Sequence, residues 1–100
     1  MAGYLRKTAL SPDDVLATAA DLLPDRIGLS RAKAAGHDAT YTGAEGTVSL
    51  SAHRHGTYTE VVANTDRLRT SRMDYEIQKF LNQLPYEPFD RGGPGRGEPT

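Results

Sequence analysis

Apolar residues recur at helical spacing soon after the start of the chain, behind a typical helix-start sequence. Ser11 is suited to cap a helix, and Pro12 favours its first position. The spacing predicts a helix over residues 12–23 that stops before Pro24, because proline disfavours continuation of a helix. Its expected buried stripe consists of Val15, Leu16, Ala19, Leu22 and Leu23.

The same pattern returns near the end of the chain. Ser71 comes three residues before Asp74, which is the spacing of a capping box. The spacing predicts a second helix over residues 72–84, ended by Pro85. Its expected buried stripe consists of Met73, Ile77, Phe80, Leu81 and Leu84.

Between the helices the apolar residues recur at every second position, which is typical of strands with one buried face. Ile27 and Leu29 are expected to mark the buried side of the first strand. Residues 1–10 are weakly patterned and are left open as a lead-in strand or coil. The expected strands cover about residues 26–33, 39–42, 47–53 and 57–63.

The last two strands predict a hairpin with a two-residue turn at His55 and Gly56, since glycine readily accepts a positive φ. The expected pairs are Ala52 with Thr59, Leu50 with Val61 and Val48 with Ala63. A shift by one residue would bury Glu60. The expected outward face carries Ser49, Ser51, His53, Tyr58, Glu60 and Val62, with Tyr41 added from the preceding strand.

These elements predict an α+β fold: a helix, an antiparallel meander of three or four strands, and a second helix. Both helices are expected to pack on the apolar face of the sheet and to leave its other face uncovered. We expect a single domain over residues 1–87. Residues 88–100 are rich in glycine and proline and predict a disordered tail.

Composition excludes several classes of function. The 100-residue chain has 12 basic and 13 acidic side chains, a net charge of −1, which argues against a uniformly basic nucleic-acid-binding surface. It has no cysteine, which excludes thiolate metal sites, disulfides and cysteine nucleophiles. No membrane span or secretory signal is evident, and no cofactor motif occurs, so we expect a cytoplasmic protein without a cofactor.

A basic corner precedes the second helix. Arg67, Arg69 and Arg72 fall within six residues, and Ser71 lies among them. Free backbone N–H groups and the positive end of a helix dipole favour a phosphate or carboxylate at such a place. Internal pairing of these arginines with acidic side chains is the alternative. The sequence therefore predicts an anion-binding corner formed by these four residues.

The outward face of the sheet offers a second candidate site. His53, Tyr58 and Glu60 would supply a base and acids for a small acid/base enzyme, although no nucleophile motif accompanies them. His53 and His55 could present two imidazoles on one strand face. Too few further ligands are evident, so we expect no metal site.

A non-enzymatic binding or adaptor module is the best functional interpretation of the sequence. The uncovered sheet face would take a protein partner or a second copy of the chain, giving a homodimer, and the basic corner would take an anionic group. The acid/base enzyme is the first alternative. Weak binding of RNA or single-stranded nucleic acid, suggested by Arg91-Gly92-Gly93 and Arg96-Gly97, is the second.

Overall fold

A computed structural model describes residues 2–85 and shows two helices and one five-stranded antiparallel sheet. The predicted α+β class is confirmed. The strands lie in the order β1-β5-β4-β3-β2. The predicted tail, residues 88–100, lies outside the described residues. The elements are β1 (Ala2–Thr8), α1 (Pro12–Ile27), β2 (Ser30–Ala35), β3 (Asp38–Gly43), β4 (Gly46–His55), β5 (Tyr58–Thr65) and α2 (Arg72–Gln83).

Both helices bury their apolar stripes in one core against the same face of the sheet. α2 begins at the predicted residue, and its whole predicted stripe is buried. From the strands, the alternate positions of β4 and β5 enter this core, because side chains of a strand point to opposite faces in turn. The largest fully buried apolar side chains are Tyr41, Phe80, Leu23, Leu29, Leu50, Met73, Ile77 and Leu84.

β1 corrects the predicted count of three or four strands. It pairs with β5 from Ala2 opposite Thr65 to Thr8 opposite Thr59, and it makes one edge of the sheet. The strand is hard to predict because its helix-facing positions include a tyrosine and an arginine. Arg6 Nη2 donates to the Leu84 carbonyl oxygen at 2.6 Å, so β1 supplies the cation that the last turn of α2 lacks.

The hairpin of β4 and β5 forms as predicted, but its register differs by two residues. His55 pairs with Tyr58, and the turn consists of Gly56 and Thr57 rather than His55 and Gly56. Gly56 has φ 67°, so glycine occupies the first turn position. A shift of two preserves the face of every side chain. The observed core pairs are Ala52 with Val61, Leu50 with Ala63 and Val48 with Thr65.

α1 continues through Pro24, which corrects its predicted end. The helix stops at Ile27, where Gly28, with φ 64°, donates its N–H to the Pro24 carbonyl oxygen. Ile27 lies four residues after Leu23 and extends the buried helical stripe, so it is a helix residue and not a strand residue. The apolar contact of this last turn outweighs the backbone hydrogen bond that a proline cannot donate.

Replacement of Pro24 by alanine is expected to raise the free energy of unfolding by about 1–3 kcal/mol, since an interior proline disfavours a helix by roughly that amount. Urea denaturation of Pro24→Ala and of the native chain checks this. A lower stability of the variant would show that the proline ring contributes contacts worth more than the hydrogen bond.

The first predicted strand is displaced along the chain. β2 starts at Ser30 instead of residue 26 and is exposed along its whole length. Leu29 is fully buried but lies in the connection before the strand. Tyr41 was expected on the uncovered face, yet it is 1% exposed and belongs to the core. Arg31, which pairs with Tyr41 across β2 and β3, lies next to an irregularity in the register of these two strands.

The stability of the fold is expected to depend on pH through Tyr41. Burial raises the pKa of its phenol, and the charge and hydrogen bonding of Arg31 oppose part of that rise. A raised pKa in the folded state means that the stability contribution is present below about pH 10, the ordinary tyrosine pKa, and is lost as pH rises through the folded pKa.

We therefore expect Tyr41→Phe to flatten the decline in stability above about pH 10. At pH 7 the stability of the variant should differ by no more than about 1 kcal/mol, because the buried Tyr41 hydroxyl makes no close hydrogen bond among residues 2–85 and interacts only loosely with Arg31. Thermal unfolding at both pH values checks this. A large loss of stability at pH 7 would contradict it.

Candidate functional site

The predicted basic corner lies at the start of α2, where Arg72 contacts two other parts of the fold. Its Nη1 lies 3.2 Å from Glu45 Oε2, an ion pair on the turn between β3 and β4. Its Nη2 donates to the Arg26 carbonyl oxygen in the last turn of α1 at 3.4 Å. An arginine at the positive end of α2 is thus held by an acid and by the negative end of another helix.

The other three residues of the corner also have partners within the protein. Arg67 Nε donates to the Glu45 carbonyl oxygen at 2.9 Å. Arg69 Nη2 donates to the Gly3 carbonyl oxygen at 3.2 Å, and its guanidinium lies 4.8 Å from the centre of the Tyr4 ring. The four residues do come together around one helix start. Anion binding there stays a prediction, and an anion would have to compete with these internal contacts.

Ser71 belongs to a buried polar network around Asp74 beneath this corner. Ser71 Oγ accepts from the Asp74 backbone N–H, which confirms the predicted cap, and donates to Asp74 Oδ1 at 2.9 Å. The second half of the capping box does not form, because the Ser71 backbone N–H donates to the Leu68 carbonyl oxygen. Asp74 Oδ2 accepts from Tyr4 Oη at 2.6 Å and from Thr65 Oγ1 at 2.9 Å. The Asp74 side chain is fully buried. Burial and the hydrogen bond to Asp74 raise the pKa of Tyr4.

The capping box pointed to Asp74 from the sequence, but only as a local cap. Its partners Tyr4 and Thr65 lie 70 and nine residues away in the chain. The network joins β1, β5 and α2, so it fixes the position of the edge strand relative to the helix. No motif in the sequence signals this contact.

The uncovered sheet face is the second candidate site. Leu5 on β1 lies opposite Val62 on β5, which lies opposite Ser51 on β4. Leu5 is 58% exposed, a large value for a leucine on a sheet. Asn64 and Ser49 form the neighbouring row. The middle of this face thus has apolar and small uncharged side chains.

Charged and aromatic side chains gather at one end of the same face. His55 stacks on Tyr58 with ring centres 5.8 Å apart, and the Lys7 ammonium lies 5.1 Å from the centre of the Tyr58 ring. His55 Nε2 lies 3.6 Å from Glu60 Oε1. One positive and one negative side chain therefore lie beside the pair of His55 and Tyr58. The residues predicted for this face did not include Lys7.

The proposed acid/base residues lie on this face, but their geometry gives the enzyme alternative little support. Glu60 is opposite His53 in the register, yet its carboxylate lies beside His55. His53 is 58% exposed, and its contact is Asp38 at 3.9 Å. Within residues 2–85, no three histidine, aspartate or glutamate side chains form a group that could hold a metal ion.

Comparison with known proteins gives no match: no family model, no curated protein and no solved structure is similar to this chain. Among residues 2–85, no helix combines the length and the apolar character needed to cross a membrane.

Proposed function

We propose that this protein is a non-enzymatic binding module that uses the uncovered sheet face to associate with a second copy of itself. The observation that supports this most is the exposed Leu5 beside the half-buried Val62, on a sheet whose helices both occupy the other side. An exposed apolar side chain on an uncovered sheet is typical of an interaction surface.

The distribution of charge favours a second copy as the occupant. Interfaces are depleted of charge at their centre and polar at their rim. Here the row of Leu5, Val62 and Ser51 is uncharged up to Asp38 on β3, which lies opposite Ser51, whereas Lys7 and Glu60 lie nearer one end. A face that carries both signs at its rim is complementary to itself when two copies meet about a twofold axis.

The size of the face indicates a weak dimer. Five strands about 4.8 Å apart, with about 3.3 Å per residue, give a projected face of roughly 500–600 Å². A stable interface buries about 800 Å² of accessible surface on each partner. We therefore expect a dissociation constant in the micromolar to millimolar range.

Sedimentation velocity of the full chain over a wide concentration range tests the proposal. The expected result is a monomer at low concentration and a rising weight-average sedimentation coefficient that fits a monomer–dimer equilibrium. A coefficient that stays at the monomer value up to millimolar concentration would overturn self-association.

A further inference from the structure

A groove runs along the other side of β1, between this edge strand and α2. Its narrow part has a volume of 180 Å³ and lies between the two elements. A larger depression of 410 Å³ follows the outer face of α2. The two parts share Gln78 and Asn82, so they form one continuous surface, which we call the α2 groove. Its described lining is completed by Tyr4, Leu5, Arg6, Leu81, Tyr75, Lys79 and Gln83.

The lining of the α2 groove has a definite chemical character. Tyr75 is 62% exposed and Leu5 is 58% exposed, so each end offers an apolar contact. Arg6 and Lys79 supply two positive charges, and the described lining residues include no acid. Amides of Gln78 and its neighbours can pair with a peptide backbone. A segment with aromatic and acidic side chains would complement this surface.

The chain itself supplies such a segment at the right place. The described part ends at Pro85, whose carbonyl oxygen accepts from the Ala9 N–H at 3.2 Å, one residue beyond the end of β1. The sequence continues with Tyr86-Glu87-Pro88-Phe89-Asp90, which contains two aromatic and two acidic residues.

We propose that residues 86–90 of the same chain dock in the α2 groove, with their aromatic side chains against Tyr75 and their carboxylates towards Lys79 and Arg6. The segment is long enough to extend along α2 from its end to Tyr75. Nine helical residues separate Tyr75 from Leu84, about 14 Å at 1.5 Å per residue. Five extended residues span about 16 Å. The docked segment covers Tyr75, and it borders the uncovered sheet face only at Leu5, which lies at the edge of both surfaces.

Paramagnetic relaxation enhancement in the full chain tests this proposal. Because the chain has no cysteine, Gly92→Cys gives a single site for a nitroxide label. We expect broadening of the amide signals of Tyr75, Gln78 and Lys79, and little effect on Ser49 and Ser51 on the uncovered face. Dilution of labelled chains into unlabelled ones should preserve the pattern, since the contact is intramolecular.

Charge exchange supplies the matched control. Lys79→Glu should reduce the broadening at Tyr75 and Gln78 at least twofold, and adding Glu87→Lys to that variant should restore it. Glu98→Lys, farther along the tail, should not. Uniform or missing broadening, broadening of the sheet face instead, or broadening that depends on dilution would overturn docking of the segment in its own groove.

Discussion

Replacement of Asp74 by alanine is expected to lower the free energy of unfolding by about 3 kcal/mol or more, the largest loss for a single polar side chain in this protein. The carboxylate accepts hydrogen bonds from Tyr4, Thr65 and Ser71 and is fully buried. Its removal leaves the hydroxyls of Tyr4 and Ser71 without this acceptor, leaves Thr65 with only the Arg67 carbonyl oxygen at 3.3 Å, and removes a negative charge from the start of α2. Urea denaturation monitored by circular dichroism measures the loss.

Two further variants show whether the effect belongs to the network. Ser71→Ala should cost about 1 kcal/mol, as expected for the loss of a helix cap. Asp25→Ala, which removes an exposed carboxylate from α1, should change stability by less than about 0.5 kcal/mol. Equal effects of Asp74→Ala and Asp25→Ala would show that the buried network does not stabilise the fold.

Replacement of Val62 by glutamate is expected to weaken self-association about 100-fold or more, because each copy would bring an unpaired carboxylate into the centre of the interface. Val62 lies between Leu5 and Ser51 on the uncovered face and is half-buried in the single chain. Sedimentation velocity measures the change in the dissociation constant. The fold of the variant is checked by its circular dichroism spectrum.

Leu68→Glu is the matched control for this change. Leu68 is 71% exposed in the connection between β5 and α2, so the variant makes the same chemical change away from the sheet face. It should leave the dissociation constant unchanged within about twofold. If both variants weakened association equally, net charge would be responsible and not the uncovered face.

The elements that sequence predicted well are those that local chemistry determines. Ser11 and Ser71 each cap a helix with the side chain contact that their spacing implied. The alternation of β4 and β5 assigned each side chain to its correct face, but a period of two cannot distinguish registers that differ by two residues. The helix end at Ile27 depended on burial, which overrode the local preference of Pro24.

The long-range contacts of the candidate sites could not be predicted from the sequence. The arginines of the corner lie within six residues of the chain, yet Glu45, the partner of Arg67 and Arg72, precedes Arg67 by 22 residues and could be assigned only from the folded chain. β1 was left open because Arg6 and Tyr4 make its inward face look polar. Both side chains point inward to satisfy groups of α2, the Leu84 carbonyl and the Asp74 carboxylate.

Intermolecular nuclear Overhauser effects give the sharpest test of self-association through the uncovered sheet face. A concentrated sample that mixes isotope-labelled and unlabelled copies of the full chain reports contacts between copies alone. We expect such contacts from the methyl groups of Leu5 and Val62 and from the Tyr58 ring. Contacts confined to Leu68 or Tyr75, or the absence of any contact between copies at a concentration where dimers sediment, would contradict it.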